Sequence, residues 1–230
     1  MQIELFKKPK GVTIIEGFPG FGFVSTIATE FLVEHTGAEL IGRIKIEEIP
    51  PVIAIHKSAV VEPVGIFYSK KYNLVIVYAL VPVSGYEWKL ANMIQELAKQ
   101  LNAKEIIGLE GVGGKENANN IYYLANKSDK FKKIKIERLN EGIVMGVTGA
   151  LLLKKKLPVS CIFAETGMGL PDSRAAAKVI EVLDDYLNLK IDYKPLLKKA
   201  EEFESKVKGI ISKSKNAVDQ KDKKALDYFG

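Results

Sequence analysis

Glu16 and three glycines stand together in the run Glu16-Gly17-Phe18-Pro19-Gly20-Phe21-Gly22. A β-branched run, Val12 to Ile15, leads into it, and a helical pattern begins at Phe23. A glycine loop between a strand and a helix is where α/β proteins hold phosphates, because free N–H groups at a helix start attract anions. The spacing here is neither of the usual phosphate loops. The order is G-x-x-G-x-G rather than the dinucleotide G-x-G-x-x-G, and no G-x-x-x-x-G-K-[ST] is present. Phe18, Phe21 and Phe23 also load the loop with apolar surface, which suits packing or a protein contact.

Two later segments repeat the theme: Gly108-Leu109-Glu110-Gly111-Val112-Gly113-Gly114 and Thr166-Gly167-Met168-Gly169-Leu170-Pro171. Three glycine loops, each after a strand, would gather at the carboxyl edge of one parallel sheet, where α/β folds bind ligands. Glu16, Glu110 and Glu165 would stand at that rim, and three like charges would repel a phosphate. The simpler reading is that the glycines allow tight turns into helices, and it is preferred.

Other chemistry finds little support. His35 and His56 are isolated, and neither H-E-x-x-H nor a G-x-S-x-G elbow occurs. His35, beside Gly37 at the end of a helical pattern, suits a helix C-terminus. The acid pairs Glu47-Glu48, Asp184-Asp185 and Glu201-Glu202 read as surface. The single cysteine, Cys161, lies in the apolar run Val159–Phe163. It is read as a buried, inert thiol in a protein of a reducing interior. No catalytic residue, metal or cofactor is assigned.

The elements that must position these loops alternate. β-Branched runs recur at Val12–Ile15, Leu40–Ile46, Val52–Ile55, Val64–Tyr68, Leu74–Ala79, Ile106–Leu109, Asn120–Leu124 and Val159–Ala164. Helical periodicity covers Phe23–Glu34, Tyr86–Leu101, Gly146–Lys155, Ser173–Leu187 and Pro195–Ile211. Tyr72-Asn73 predicts a hairpin, and Asp172 or Ser173 is placed to cap the fourth helix. The pattern predicts an α/β fold with a mixed sheet.

The 230 residues carry a net charge of +6, but only 3 of the 34 cations are arginine. That argues against a nucleic-acid binder, which leans on arginine forks. Abundant Lys, Glu and Ile with little His and Cys reads as the solvated surface of a hot-adapted protein. Met1–Lys10 is no signal peptide, and the longest apolar run, Leu74–Val83, is too short to span a bilayer. A soluble, cytoplasmic protein without membrane or nucleic-acid partners is expected. From Ser212 the sequence turns polar and reads as a flexible tether, yet it runs on to Ala225-Leu226-Asp227-Tyr228-Phe229-Gly230. This apolar tip either tucks back onto the domain or docks in a partner's pocket.

Three segments taken in order resemble the PAC2 (proteasome assembly chaperone) family in its archaeal form. They are Glu16–Gly22; Ile106-Ile107-Gly108-Leu109-Glu110-Gly111; and Gly167-Met168-Gly169-Leu170-Pro171-Asp172-Ser173-Arg174-Ala175-Ala176-Ala177, continued by Leu183–Ile191. The resemblance spans about residues 10–195. It implies a three-layer α/β domain with a mixed, mainly parallel sheet. That architecture is similar to nucleoside phosphorylases without their catalytic residues. It also implies an ATP-independent chaperone that engages proteasome α-subunits, and self-association into a homo-oligomer, possibly a ring. Tails of proteasome-binding factors end in hydrophobic–tyrosine–any residue. Carried onto this chain, Tyr228 takes the hydrophobic place, Phe229 the tyrosine place and Gly230 the last. Phe229 departs from the motif, and the missing hydroxyl forfeits about 0.5–1.5 kcal/mol, recoverable through several tails on one oligomer.

The expectation is therefore a chaperone domain over 1–211 with its C-terminal helix, and a tether with docking tip over 212–230. Partner contacts fall on Leu226, Tyr228, Phe229 and Gly230. The loop rim or oligomer face falls on Phe18, Pro19, Gly20, Phe21, Gly22, Glu110 and Glu165. The alternatives are a nucleoside- or phosphate-handling enzyme using the rim, and a plain oligomeric scaffold for another protein.

Overall fold

The computed structural model describes residues 1–48, 53–56, 58–80, 82–114, 120–126, 130–154, 158–167 and 170–198. Its strands are β1 (Gln2–Leu5), β2 (Thr13–Gly17), β3 (Glu39–Lys45), β4 (Ala54–His56), β5 (Ala59–Val61), β6 (Val64–Ser69), β7 (Leu74–Ala79), β8 (Glu105–Gly113), β9 (Ile121–Ala125), β10 (Glu137–Arg138) and β11 (Val159–Thr166). Its helices are α1 (Val24–His35), α2 (Glu87–Gln100), α3 (Gly146–Leu153) and α4 (Ser173–Leu187). Residues 194–198 begin a further helical segment.

Nine strands form one sheet in the order β1-β3-β6-β7-β2-β8-β11-β9-β10, and β4 and β5 make a separate hairpin. The central four, β7-β2-β8-β11, run parallel. Antiparallel pairing enters at β6 on one side and β9 on the other. The sheet is mixed, as predicted, with the parallel pairings at its centre.

Parallel strands covered on both faces read as continuous apolar runs, because neither alternate set of side chains meets water. Ile14, Val75, Ile106 and Cys161 point to one face, where α2 and α3 pack through Leu90, Ile94, Val147 and Leu151. Their neighbours Ile15, Ile76, Ile107 and Ile162 point to the other, against α1 and α4 through Val24, Leu32, Val179 and Leu183. The result is three layers: helices, sheet, helices.

Two local signals act as read. The β6–β7 hairpin turns through Asn73, whose left-handed φ of 51° suits asparagine. Asn73 Nδ2 donates to Gly11 O at 2.9 Å, and the side-chain oxygen accepts from Tyr68 Oη at 3.0 Å. Asp172 is the N-cap of α4, its Oδ1 accepting from Ala175 N at 2.9 Å. β1, β5 and β10 were not expected; each is four residues or shorter.

The outer strand β9 is tied to α4 by stacked rings. Phe131, fully buried, lies between Tyr123 and Tyr186 with ring centroids 4.7 and 4.2 Å away. Tyr186 Oη donates to Glu105 Oε2 at 2.8 Å, which fixes the stack to the start of β8. Phe131→Ala empties the middle of this stack and costs about 3–5 kcal/mol. At roughly 2–4 °C per kcal/mol for a chain of this size, the melting temperature falls by well over 5 °C. A drop of a degree or less shows that the stack does not tie β9 to α4.

Candidate functional site

β2, β8 and β11 end side by side at one edge of the sheet, so the three glycine loops do meet. The first loop kinks through Gly22 and Phe23, both with left-handed φ (59° and 49°), before α1 begins. A Cβ on Gly22 would collide with Thr166 Oγ1, so conformation and space both require glycine there. The loops are also bonded to one another. Asp172 N donates to Gly22 O at 2.8 Å, Thr166 Oγ1 donates to Asp172 Oδ2 at 2.8 Å, and Gly114 N donates to Thr166 O at 3.1 Å. The cap of α4 thus fastens the third loop to the first.

Glu16 does not stand at the rim, contrary to expectation. It lies one residue inside the end of β2, between β7 and β8, with no exposed surface. Glu110, on β8, is 9% exposed. Both reach Thr148 in the first turn of α3: its Oγ1 is 2.7 Å from Glu16 Oε1 and 2.6 Å from Glu110 Oε1. Gly108 makes room for this, since a Cβ there would sit 2.6 Å from Glu16 Oε1. Thr148 went unread because a lone hydroxyl in the apolar helix Gly146–Leu153 carries no motif. Its signal was that a polar residue faces the core side of that helix.

A hydroxyl has one hydrogen to give. Thr148 can bond both acids only if one carboxyl is protonated and donates back to it. Burial favours the same outcome. It raises Glu16 to about 7 against an ordinary 4.5, and the Thr148 bond only partly offsets this. Burial first, then the charge of Glu16, raises Glu110 well above the usual range. Burial, with Glu16 and Glu110 adding to it, also pushes the Cys161 thiol up, so this buried cysteine is held as an unreactive thiol.

Glu165 stands apart. It accepts from Asn120 Nδ2 at 2.8 Å and from Tyr122 Oη at 3.4 Å, on the β9 side of the edge. The three carboxylates therefore do not form one rim. Of the loop residues, Phe18 is buried in the core, Pro19 and Phe21 are half-buried, Gly20 is exposed and Gly22 is buried. Phe18, Phe21, Gly20 and Glu110 line a cavity of about 430 Å³ together with Val83, Val144 and Val147. His35 stacks on Phe31, with centroids 4.9 Å apart, at the last turn of α1. Among the described residues, no group of three or more His, Cys, Asp or Glu is gathered to hold a metal ion. Leu226, Tyr228, Phe229 and Gly230 lie outside the described residues.

The pair predicts a pH signature. A buried acid with a raised pKa keeps its proton in the folded state while the unfolded chain has lost it. The folded state then binds more protons between about pH 4.5 and 7, and stability falls as pH rises through that window. The effect of Glu16 is on the order of 3 kcal/mol. Glu16→Gln, a neutral copy of the acid, flattens the decline in melting temperature between pH 5 and 8. An unchanged slope shows that Glu16 does not titrate there.

The sequence profile of the PAC2 family matches residues 14–211. An uncharacterised protein of Methanocaldococcus jannaschii is 29% identical over 204 residues, covering 86% of this chain and 84% of its own. Pyrococcus furiosus PbaA, an archaeal homolog of proteasome-assembly chaperone, superposes with a TM-score of 0.82 at 27% identity, over 96% of this chain and 97% of PbaA. Pyrococcus furiosus PbaB, an archaeal proteasome activator, shares the fold with a TM-score of 0.77 at 21% identity, over 91% and 98% of the two chains. The family match takes in the Glu16 loop, the Thr148 helix and the capped start of α4, and on that match the chain belongs to the PAC2 family.

Proposed function

We propose that this protein is an ATP-independent chaperone of proteasome assembly that works by binding rather than by catalysis. The observation that carries the reading is its likeness to PbaA, which runs through nearly the whole of both chains. The site is consistent with it. Glu16 and Cys161 are fully buried, and Glu110 is nearly so and bonded to Thr148. Such groups hold loops in place more readily than they reach a substrate bond. Among the described residues, no lysine, arginine or histidine lines the cavity at the loop edge, which argues against a nucleoside phosphate as its substrate.

In this reading the α/β domain is the scaffold and self-associates. The tip, with Leu226, Tyr228 and Phe229 as its apolar grip and Gly230 after them, engages proteasome α-subunits. Eleven of the 13 residues 212–224 are polar, a composition that suits a tether between domain and tip. Each tip binds weakly and the oligomer multiplies it.

Deleting Tyr228–Gly230 leaves melting temperature and light-scattering mass unchanged and abolishes capture of purified α-subunits. Phe229→Tyr, which restores the hydroxyl, tightens capture by roughly two- to tenfold. Light scattering that gives a 25.4 kDa monomer removes the oligomeric scaffold. Capture that survives the deletion moves the contact onto the domain. Failure of the intact chain to bind α-subunits rejects the reading.

A further inference from the structure

We propose that the cavity between the first glycine loop and the start of α3 binds a small organic amine, its ammonium group paired with the Glu110 carboxylate and its apolar stem lying against Phe18, Phe21 and Phe163.

The cavity, about 430 Å³, is within the size range of small-ligand sites. Its walls are aromatic and aliphatic. Its polar side chains are few: Ser84 and Glu87 toward the mouth, Glu110 within. Glu110 is nine-tenths buried and lines the cavity. Its Oε1 is engaged by Thr148, and among the described residues its Oε2 has no hydrogen-bond partner. Gly20 leaves that oxygen uncovered: a Cβ there would lie 3.1 Å from it. Behind it, Glu16 Oε2 is fully buried and also lacks a partner. An accessible oxygen of a nine-tenths-buried carboxyl, opening onto an apolar cavity, offers a place for a donor.

Charge selects the class of donor. The chain carries +6 overall, yet among the described residues the cavity wall holds two carboxyls and no cation. An anion would meet Glu87 and Glu110 with nothing to offset them. A neutral donor would satisfy one bond. An ammonium satisfies the bond and supplies the counter-charge that burial denies to Glu110, and ring faces favour a cation beside them. On entry it displaces the Glu110 proton to solvent. The titrating groups facing this event are Glu16 on β2, Cys161 on β11 and Glu87 on α2, while Thr148 on α3 can turn its hydrogen to whichever acid is charged. A metal ion is the poorer candidate, since no third ligand is gathered among the described residues.

The experiment is calorimetric titration of the full chain with three probes of one shape: phenethylamine, phenethyl alcohol and phenylacetate. Phenethylamine binds saturably, the alcohol binds at least about tenfold more weakly, and phenylacetate does not bind. Glu110→Gln lowers amine affinity at least tenfold. Ser84→Trp, an exposed change at the mouth, closes the cavity and abolishes binding at unchanged melting temperature. Should Glu110→Gln not fold, the probe series and Ser84→Trp still decide. Equal affinity for amine and alcohol reduces the cavity to an apolar slot and overturns the proposal. So does tighter binding of phenylacetate, which would assign the site to the helix N-termini, and so does an amine that never saturates at millimolar concentration. Loss of α-subunit capture does not bear on these outcomes, so the chaperone reading and this one fail separately.

Discussion

Thr148 faces two carboxyls with one proton to give, and much of the loop edge depends on how that shortage is met. Glu16 and Glu110 sit on adjacent parallel strands whose register places Glu16 beside Gly108. Two ionised acids at this separation, in a site that excludes water, would repel strongly. With one of them protonated, the same three groups become a short hydrogen-bonded chain that joins β2, β8 and α3 at a single point. The ends of two strands and the start of a helix are thereby tied together beneath the loops.

The loops inherit that order. Gly22 passes close to Thr166 because β2 and β11 lie on either side of β8, and Asp172 bonds both Gly22 and Thr166 while capping α4. One residue thus serves both purposes: its carboxylate caps α4 and accepts from Thr166, and its backbone N–H clasps the third loop to the first. Phe23 is held at a left-handed φ that a bulky residue adopts only under constraint, at a cost of about 1–3 kcal/mol. The clasp on the preceding Gly22 supplies the constraint.

Much of the architecture is legible in the sequence because its signals are local. α4 runs from Ser173 to Leu187 as its helical periodicity predicts, Asp172 is the one of the two candidate caps that is used, and β7 spans the predicted Leu74–Ala79. Strands buried on both faces announce themselves as unbroken apolar runs. What the sequence does not carry is contact between distant segments. Glu16, Glu110 and Glu165 look alike as acids beside glycines. Whether they share a rim depends on strand order and on which face each side chain meets, and Glu165 falls on the β9 side with Asn120 and Tyr122. Glu16 reads as a loop residue, yet β2 runs one residue beyond it and buries it. Thr148 lies 132 residues from one of its partners and 38 from the other, so no spacing rule finds it. The edge strand β1 was missed for a different reason. Four residues with two polar side chains give too short an alternation to separate from a charged terminus.

A buried acid pair is not a cheap way to hold a fold. Removing two carboxyls from water costs several kcal/mol, and well-packed apolar side chains of similar volume are often as stabilising or more so. The core around this pair has such side chains in abundance, with Ile14 and Ile106 on the same strands and the same face, and Val147 and Phe163 on the elements packed there. A purely structural joint at Glu16 and Glu110 could have been built from them. The pair instead leaves Glu16 Oε2 buried without a partner among the described residues, and Glu110 forms part of a cavity wall. Perturbed, incompletely satisfied groups beside a cleft can serve as a joint and also face a ligand. Burial thus holds Glu110 toward its neutral form at a cavity wall that carries no cation among the described residues, the two features on which the proposed amine site rests.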